Sequence, residues 1–471
     1  MPGARQGNRR KDRDTFDSKP LQRIRQPAKQ PEKEKPTERT PHAKPVPEKQ
    51  KEDTDSGPIN LSTTIPLPIQ QLLLDVFKTA LLTTPTDPHA SPETQPNARP
   101  PATPLDTKTL VQTIKSHLYQ RDFDSAFAEA GEELLRAYAL RWSAARALGY
   151  AGIFKAVLGW MRSGEGGEEK NLSLSRCLGD GDGTRVVCIG GGAGAEIVAL
   201  AAVWRDLRDD GDGDGGIAKL EDDVAGVSLD EKGKEMEREK ADGEGDESVA
   251  EQSDSQKTAG LSPKLSVTAV DIADWSIVVE RLAKTISSPD VPAQKTSKYH
   301  PPLLSESHGA TGLDISFARK DVLGLPESDL KDLILGNEQT TPTSTPTSLL
   351  VTLMFTLNEL FTTSMPKTTA LLLNMTEILP VDAVLLVVDS PGSYSTLKLG
   401  KAKDGAAQER QYPMKFLLDH TLLSVAKGKW ERVLTQDSRW WRRDAARLRY
   451  EVGEGAGLED MRYQLHVYRR V

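Results

Sequence analysis

Arg185-Val-Val-Cys-Ile-Gly-Gly-Gly-Ala-Gly-Ala-Glu196 decides the fold. The apolar run Val186 to Ile189 reads as a buried strand of a parallel sheet. It breaks at Gly190, Gly191, Gly192 and Gly194, and an apolar helix follows from Glu196 to Trp204. Strand, glycine turn and helix together form the opening unit of a nucleotide-binding α/β sheet. Glycine reaches backbone angles that other residues avoid and lets a ligand approach the main chain. The helix N-terminus adds partial positive charge at the same place.

Outward from this unit, strands and helices alternate. Ser266 to Val270 predicts strand two, ending at Asp271, and a helix is expected from Trp275 to Ile286. Ile315 to Arg319, Leu349 to Phe355 and Ala383 to Val388 predict strands three to five. Helices are expected over Met365 to Leu379, with Pro366 in the first turn, and over Pro413 to Ala426. Trp430 to Thr435 and Tyr463 to Tyr468 predict two late strands. The alternation implies a mainly parallel sheet. Upstream, Ile65 to Leu82 carries a helical apolar stripe, and Leu110 to Met161 is a helical block. In its centre, Tyr138-Ala-Leu-Arg-Trp-Ser-Ala-Ala-Arg-Ala-Leu-Gly-Tyr150, most residues have packing spacing. Arg141, Trp142 and Arg146 are the ones placed to lie over a ligand pocket.

Composition limits how much of the 471 residues can pack. Hydrophobic residues make up 37% and aromatic residues 5%, which predicts one large domain and about a third of the chain disordered. The formal net charge of −8 hides two opposed segments. Residues 1–50 hold 14 Lys and Arg against 7 Asp and Glu, whereas residues 206–256 hold 6 against 19. The expected organisation is a disordered basic Pro-rich arm at 1–57 and a helical N-terminal extension at 58–180 with a Pro/Thr linker at 85–104. A domain at 181–471 follows, carrying a disordered acidic insert at 206–262 and a low-complexity loop at 341–348. Cys177 and Cys188 are the only cysteines, which fits a reducing intracellular setting without a disulfide framework. Cys-His metal spacing is absent, no apolar run is long enough for a membrane span, and the N-terminus does not read as a secretory signal.

In open α/β sheets, ligands bind beyond the carboxyl ends of the strands. The polar residues expected there are the glycines, Asp271, Asp321, the pair Asn358-Glu359, and Asp389. Asp271 is placed to grip vicinal hydroxyls or to cap the next helix. Asp321 suits an amino group or a turn. Glu196 suits the positive helix terminus.

The spacing G-G-G-x-G is closer to S-adenosylmethionine enzymes than to dinucleotide binders, although Gly190, Gly192 and Ala195 also fit the latter. With Val270-Asp271, Lys320-Asp321-Val322, Met354-Phe-Thr-Leu-Asn-Glu-Leu-Phe361 and, upstream, Tyr138-Ala-Leu-Arg-Trp-Ser143, the chain resembles the fungal 25S rRNA uridine-N3 methyltransferase family. The resemblance covers roughly residues 110–471 outside the insert. It implies a Rossmann-like class I methyltransferase: an α/β fold with a mainly parallel seven-stranded sheet whose last strand is antiparallel. It implies S-adenosyl-L-methionine as cofactor, held by Gly190, Gly191, Gly192, Gly194, Glu196, Asp271 and Asp321, and methyl transfer to N3 of a uridine. One position departs from the pattern. Many class I enzymes carry an acidic residue two positions before the first glycine, and here Cys188 stands there. Glu196 or main-chain carbonyls are the alternatives for that contact.

Uridine N3 carries a proton at neutral pH and is hidden in helical RNA, so the base must be exposed and the proton removed. Glu359 is the first candidate base and Asp389 the second, with Asn358 placed to hold a uracil carbonyl. RNA contact is expected at Arg439-Trp-Trp-Arg-Arg-Asp-Ala-Ala-Arg-Leu-Arg-Tyr450, chiefly through Arg439, Trp441, Arg442 and Arg443, because Arg binds phosphate and aromatic rings stack on bases. Trp440 and Leu448 are the residues of this segment most suited to a core, and Lys398, Lys401 and Lys403 form a second phosphate track. The partner implied is large-subunit rRNA or a pre-ribosomal particle, met by a monomer in the nucleus, nucleolus or cytoplasm. Alternatives are a protein or small-molecule methyltransferase, a non-catalytic assembly factor and, last, a nicotinamide oxidoreductase.

Overall fold

The computed structural model describes residues 58–82, 105–120, 122–163, 183–211, 265–292, 299–305, 312–336, 348–401 and 407–471. The basic arm, the Pro/Thr linker, Cys177, Lys403, residues 341–347 and the insert from 212 onward lie outside the described residues.

Four helices precede the sheet: α1 (Leu67–Leu82), α2 (Thr107–Gln120), α3 (Glu132–Tyr138) and α4 (Ala144–Ser163). A wide π turn, Ala139–Ser143, joins α3 to α4. The alternating part then runs β1 (Thr184–Ile189), α5 (Ala195–Gly211), β2 (Leu265–Asp271), α6 (Ser276–Ile286), β3 (Leu313–Arg319), α7 (Glu327–Leu335) and β4 (Ser348–Met354). It continues with α8 (Leu357–Thr363), α9 (Met365–Ile378), β5 (Val384–Asp389), β6 (Tyr394–Lys401), β7 (Ala407–Pro413), α10 (Met414–Asp419), β8 (Trp430–Trp441) and β9 (Met461–Arg470).

Seven strands form one sheet in the order β3-β2-β1-β4-β5-β9-β8. The five strands from β3 to β5 run parallel, and β9 is antiparallel to both β5 and β8. The expected class I topology, with its reversed last strand, is present. Successive side chains on a strand point to opposite faces, which is why the central strands are apolar throughout. Val186 and Cys188 face a core with α1, α4, α5 and α6, while Val187 and Ile189 face one with α7, α9 and α10. Helices α1, α3 and α4 therefore cover the same face of the sheet as α5 and α6.

Three features differ from the sequence reading. Strand β4 stops at Met354, because Phe355 takes a left-handed backbone with φ 58°. A two-stranded hairpin, β6 with β7, stands between β5 and α10. Helix α5 runs to Gly211, into the stretch read as insert, and Asp206 in it is buried and ion-paired. Its carboxylate is 1% exposed and lies 2.7 Å from Lys155 Nζ on α4. Asp206→Ala should cost about 2–3 kcal/mol, below the full price of a buried pair because Lys155 keeps some solvent. Urea unfolding checks this; an unchanged midpoint would show that the pair contributes nothing.

Candidate functional site

The glycine turn is close-packed. Gly190 and Gly194 have φ of +79° and +83°, where a side chain is strained. A Cβ at Gly190 would lie 2.1 Å from Thr356 Oγ1, and one at Gly192 would lie 2.2 Å from Trp275 Cδ1 and 2.8 Å from Asp271 Cβ. The turn thus meets the ends of both β2 and β4 through its bare backbone. Asp271 Oδ2 accepts from Gly192 N at 3.3 Å, and Oδ1 accepts from Ala273 N at 3.1 Å. The start of α6 is served by Asp274, whose Oδ1 accepts from Ser276 N and Oγ at 3.2 and 2.6 Å. That frees Asp271 from the capping role and ties it to the glycine turn. Burial pushes its carboxyl up to about 6, and the main-chain N–H groups oppose the shift.

Glu196 opens α5 with its side chain inside the protein, 3% exposed, and its Oε1 has no hydrogen-bond partner among the described residues. Burial pushes this carboxyl up to about 8; Arg146 opposes the shift and Asp271 adds to it. An unfolded carboxyl ionises near 4.5. The folded, protonated Glu196 therefore contributes stability that is fully present below pH 4.5 and lost progressively as pH climbs to about 8. Glu196→Gln should flatten this part of the pH–stability curve and raise the melting temperature at pH 8 more than at pH 5. Equal shifts at both pH values would mean that Glu196 ionises freely in the folded chain.

At the β4 end, the left-handed Phe355 donates its N–H to Val388 O at 2.6 Å and turns the chain sharply into α8. Thr356 makes no side-chain cap for this helix. Asp389, 4% exposed at the end of β5, supplies the cap from the neighbouring strand: Oδ2 accepts from Asn358 N at 3.1 Å. Its Oδ1 accepts from Ser390 N at 2.7 Å and from Ser393 Oγ at 3.3 Å. Asn358 Oδ1 is buried without a hydrogen-bond partner among the described residues. Glu359 is in the first turn of α8, walled by protein yet reached by solvent. Burial pushes its carboxyl up to about 7; Arg146 opposes the shift, and Asp389 and Asp271 reinforce it.

Arg146, on α4, is the cation in electrostatic reach of Glu196, Glu359 and Asp389. It donates from Nη1 to Tyr138 Oη at 3.0 Å, and its guanidinium lies 4.8 Å from the Phe355 ring centre. The π turn between Tyr138 and Arg146 widens the helix here, as such turns often do at functional sites. Tyr138 in turn packs 5.0 Å from Trp142, 5.8 Å from Trp275 and 5.0 Å from Phe127. An aromatic wall therefore stands beside the glycine turn. The sequence singled out Arg146 as placed over a pocket but could not show that Glu196, Glu359 and Asp389 all come within its electrostatic reach.

The remaining expected site residues are spread out. Asp321 is exposed and closes its own turn, accepting from Leu323 N at 3.0 Å. Lys320 N donates to Asp271 O at 2.8 Å, so Asp321 stays beside the β2 end. Arg439 reaches Ser62 Oγ at 3.2 Å, Arg442 pairs with Asp460 at 3.0 Å, and Arg443 N donates to the same Asp460. The two tryptophans are reversed from the expectation. Trp441 is half-buried against the α4 core, 3.4 Å from where a Cβ on Gly149 would be, and Trp440 is the exposed one. Neighbours on a strand face opposite ways, so only one of the pair can reach the core. Leu448 is buried, as expected.

Comparison with known proteins follows the same lines. Residues 94–469 match the family described as "Putative SAM-dependent methyltransferase". The chain is 30% identical over 363 residues, 76% of each chain, to the Saccharomyces cerevisiae protein named 25S rRNA (uridine(2843)-N(3))-methyltransferase. Among solved structures, a SAM-dependent methyltransferase from Methanosarcina mazei is similar over 62% of this chain and 93% of its own, at 10% identity and a TM-score of 0.26. The N-methyltransferase NodS from Bradyrhizobium japonicum WM9, in complex with S-adenosyl-l-homocysteine, covers 63% and 81%, at 11% identity and a TM-score of 0.22.

Proposed function

The chain belongs to the SAM-dependent methyltransferase family, and on that footing we propose that it methylates N3 of a uridine in large-subunit (25S) ribosomal RNA. The activity named for the yeast relative supports the substrate. The observation that carries the chemistry is the placement of Glu359, a solvent-reached carboxyl in the first turn of α8, which Asp389 caps from the neighbouring strand, in electrostatic reach of Arg146.

The residues present fit the cofactor. The glycine turn offers bare backbone at the carboxyl end of β1, where a Cβ at Gly192 would collide with Trp275 and Asp271 and one at Gly190 with Thr356. Glu196 Oε1 and Asn358 Oδ1 are buried acceptors without hydrogen-bond partners among the described residues. Asp271 would hold the ribose hydroxyls, Asp321 the adenine amino group and Glu196 the ammonium. S-adenosylmethionine, when bound, supplies an electrophilic methyl group.

Glu359 takes the N3 proton and leaves the N3 lone pair free to be methylated. With its carboxyl near 7, about half is ionised at neutral pH, close to the optimum for a general base. Arg146 keeps that ionised fraction up. Asn358 holds a uracil carbonyl through its amide N–H. Asp389, whose oxygens already accept three hydrogen bonds, fixes the first turn of α8 and with it the direction of Glu359. The chain acts as a monomer on rRNA or a pre-ribosomal particle, in the nucleus, nucleolus or cytoplasm. Nucleoside analysis of 25S rRNA from cells lacking the chain tests the substrate. One 3-methyluridine should disappear, and an unchanged 3-methyluridine content would rule the substrate out.

A further inference from the structure

Two exposed aromatic stations stand on one face of the sheet, one of them on α10, which touches the helix that carries Glu359. The first is Trp440, 50% exposed near the end of β8. The guanidiniums of Arg442 and Arg462 lie 4.9 and 5.8 Å from its ring centre. The second is Phe416 on α10, 51% exposed, stacked on Tyr412 at 5.5 Å and on His420 at 6.1 Å, with ring planes inclined by 19° and 4°.

Three facts join the stations to the site. Strand β8 runs in the same direction as β5, and Trp440 pairs with Arg462, two β9 residues beyond the Gln464 that pairs with Asp389. Trp440 therefore stands past the carboxyl ends of the strands, at the ligand-binding edge. Trp441 turns to the α4 face, so Trp440 projects to the opposite face, where α9 and α10 pack. Finally, Lys415 Nζ is 2.5 Å from Asp437 Oδ1, which ties α10 to β8, and both α10 and the β6–β7 hairpin touch α8.

Resting on the RNA reading above, we propose that this face is a track for a single-stranded segment of the substrate RNA, whose unpaired bases stack on Phe416 and Trp440 as the target uridine enters the cleft beside Glu359. Both stations leave about half a planar ring in water, and such rings bind bases with little sequence preference. Duplex RNA keeps its bases in its own stack, so the occupant is unpaired. Arg442 and Arg462 add charge and a further planar surface for base and phosphate.

The test measures binding of the full chain to a single-stranded oligouridylate of about ten nucleotides, a length that suits such a surface. Trp440→Ala and Phe416→Ala should each weaken binding by about tenfold, the scale of one base–aromatic contact. Trp440→Phe should restore most of it. The affinity for S-adenosylhomocysteine and the urea midpoint should stay at wild-type values in all three variants. Wild-type oligouridylate affinity in the Trp440→Ala, Phe416→Ala double variant would overturn the track, as would equal weakness of Trp440→Ala and Trp440→Phe. Tighter binding of a duplex than of the single strand would also overturn it. The readout is separate from catalysis: if wild-type protein methylates no RNA while the Ala variants still lose oligouridylate, the track stands and the proposed function falls.

Discussion

Glu359→Gln should slow single-turnover methyl transfer to ribosomal RNA by roughly 10²–10⁴-fold, the usual share of a general base. The substitution keeps the shape of the side chain in the first turn of α8 and removes its basicity. Cofactor affinity should persist. In the wild type, only ionised Glu359 can accept the N3 proton, so the rate should rise with pH and level off above about 7. Arg146 favours the ionised form, so Arg146→Met should move that rise to higher pH. Near wild-type rates for the Gln variant at every pH would show that Glu359 is not the base. Activity surviving at every pH would then point to solvent as the proton acceptor, because three hydrogen bonds hold Asp389 in its capping role.

Gly192→Asp should abolish cofactor binding. Its new Cβ has no room beside Trp275 and Asp271, and its carboxylate would stand next to a carboxyl already raised to about 6 by burial. Such a crowded substitution also threatens folding, so Asp271→Ala is the second variant. Removing that carboxylate should lower S-adenosylhomocysteine affinity by about 1.5–3 kcal/mol, the value of a hydrogen bond to a charged group. Calorimetry on folded protein reads both. Unchanged affinity in Asp271→Ala with an intact melting curve would remove the ribose anchor from the site.

Much of this arrangement is written locally in the chain. Val186 to Ile189 followed by glycines can be little other than a buried strand meeting a tight turn. The carboxylates Asp271 and Asp389 could be placed at strand ends because the apolar runs stop just before them. What escaped was set by contacts between distant residues. The sequence placed Arg146 over a pocket, but only folding brings it into electrostatic reach of carboxylates from three other elements. Asp389 reads as a possible base, and only its geometry reveals that both of its oxygens already accept hydrogen bonds, from Asn358, Ser390 and Ser393. The β6–β7 hairpin was missed because Ala407-Gln-Glu-Arg-Gln-Tyr-Pro413 is too polar to signal a strand. Trp440-Trp441 carries no alternation from which to tell the inward ring from the outward one. The sharp end of β4 was missed as well, since a left-handed Phe355 contradicts the local preference of a bulky residue.

The most direct measurement incubates the purified full-length chain with methyl-labelled S-adenosylmethionine and unmodified large-subunit ribosomal RNA, then separates the nucleosides. The expected result is label in 3-methyluridine, strongly reduced with Glu359→Gln. Label in another nucleoside or in protein, or no transfer by a wild-type chain that binds the cofactor, would contradict it.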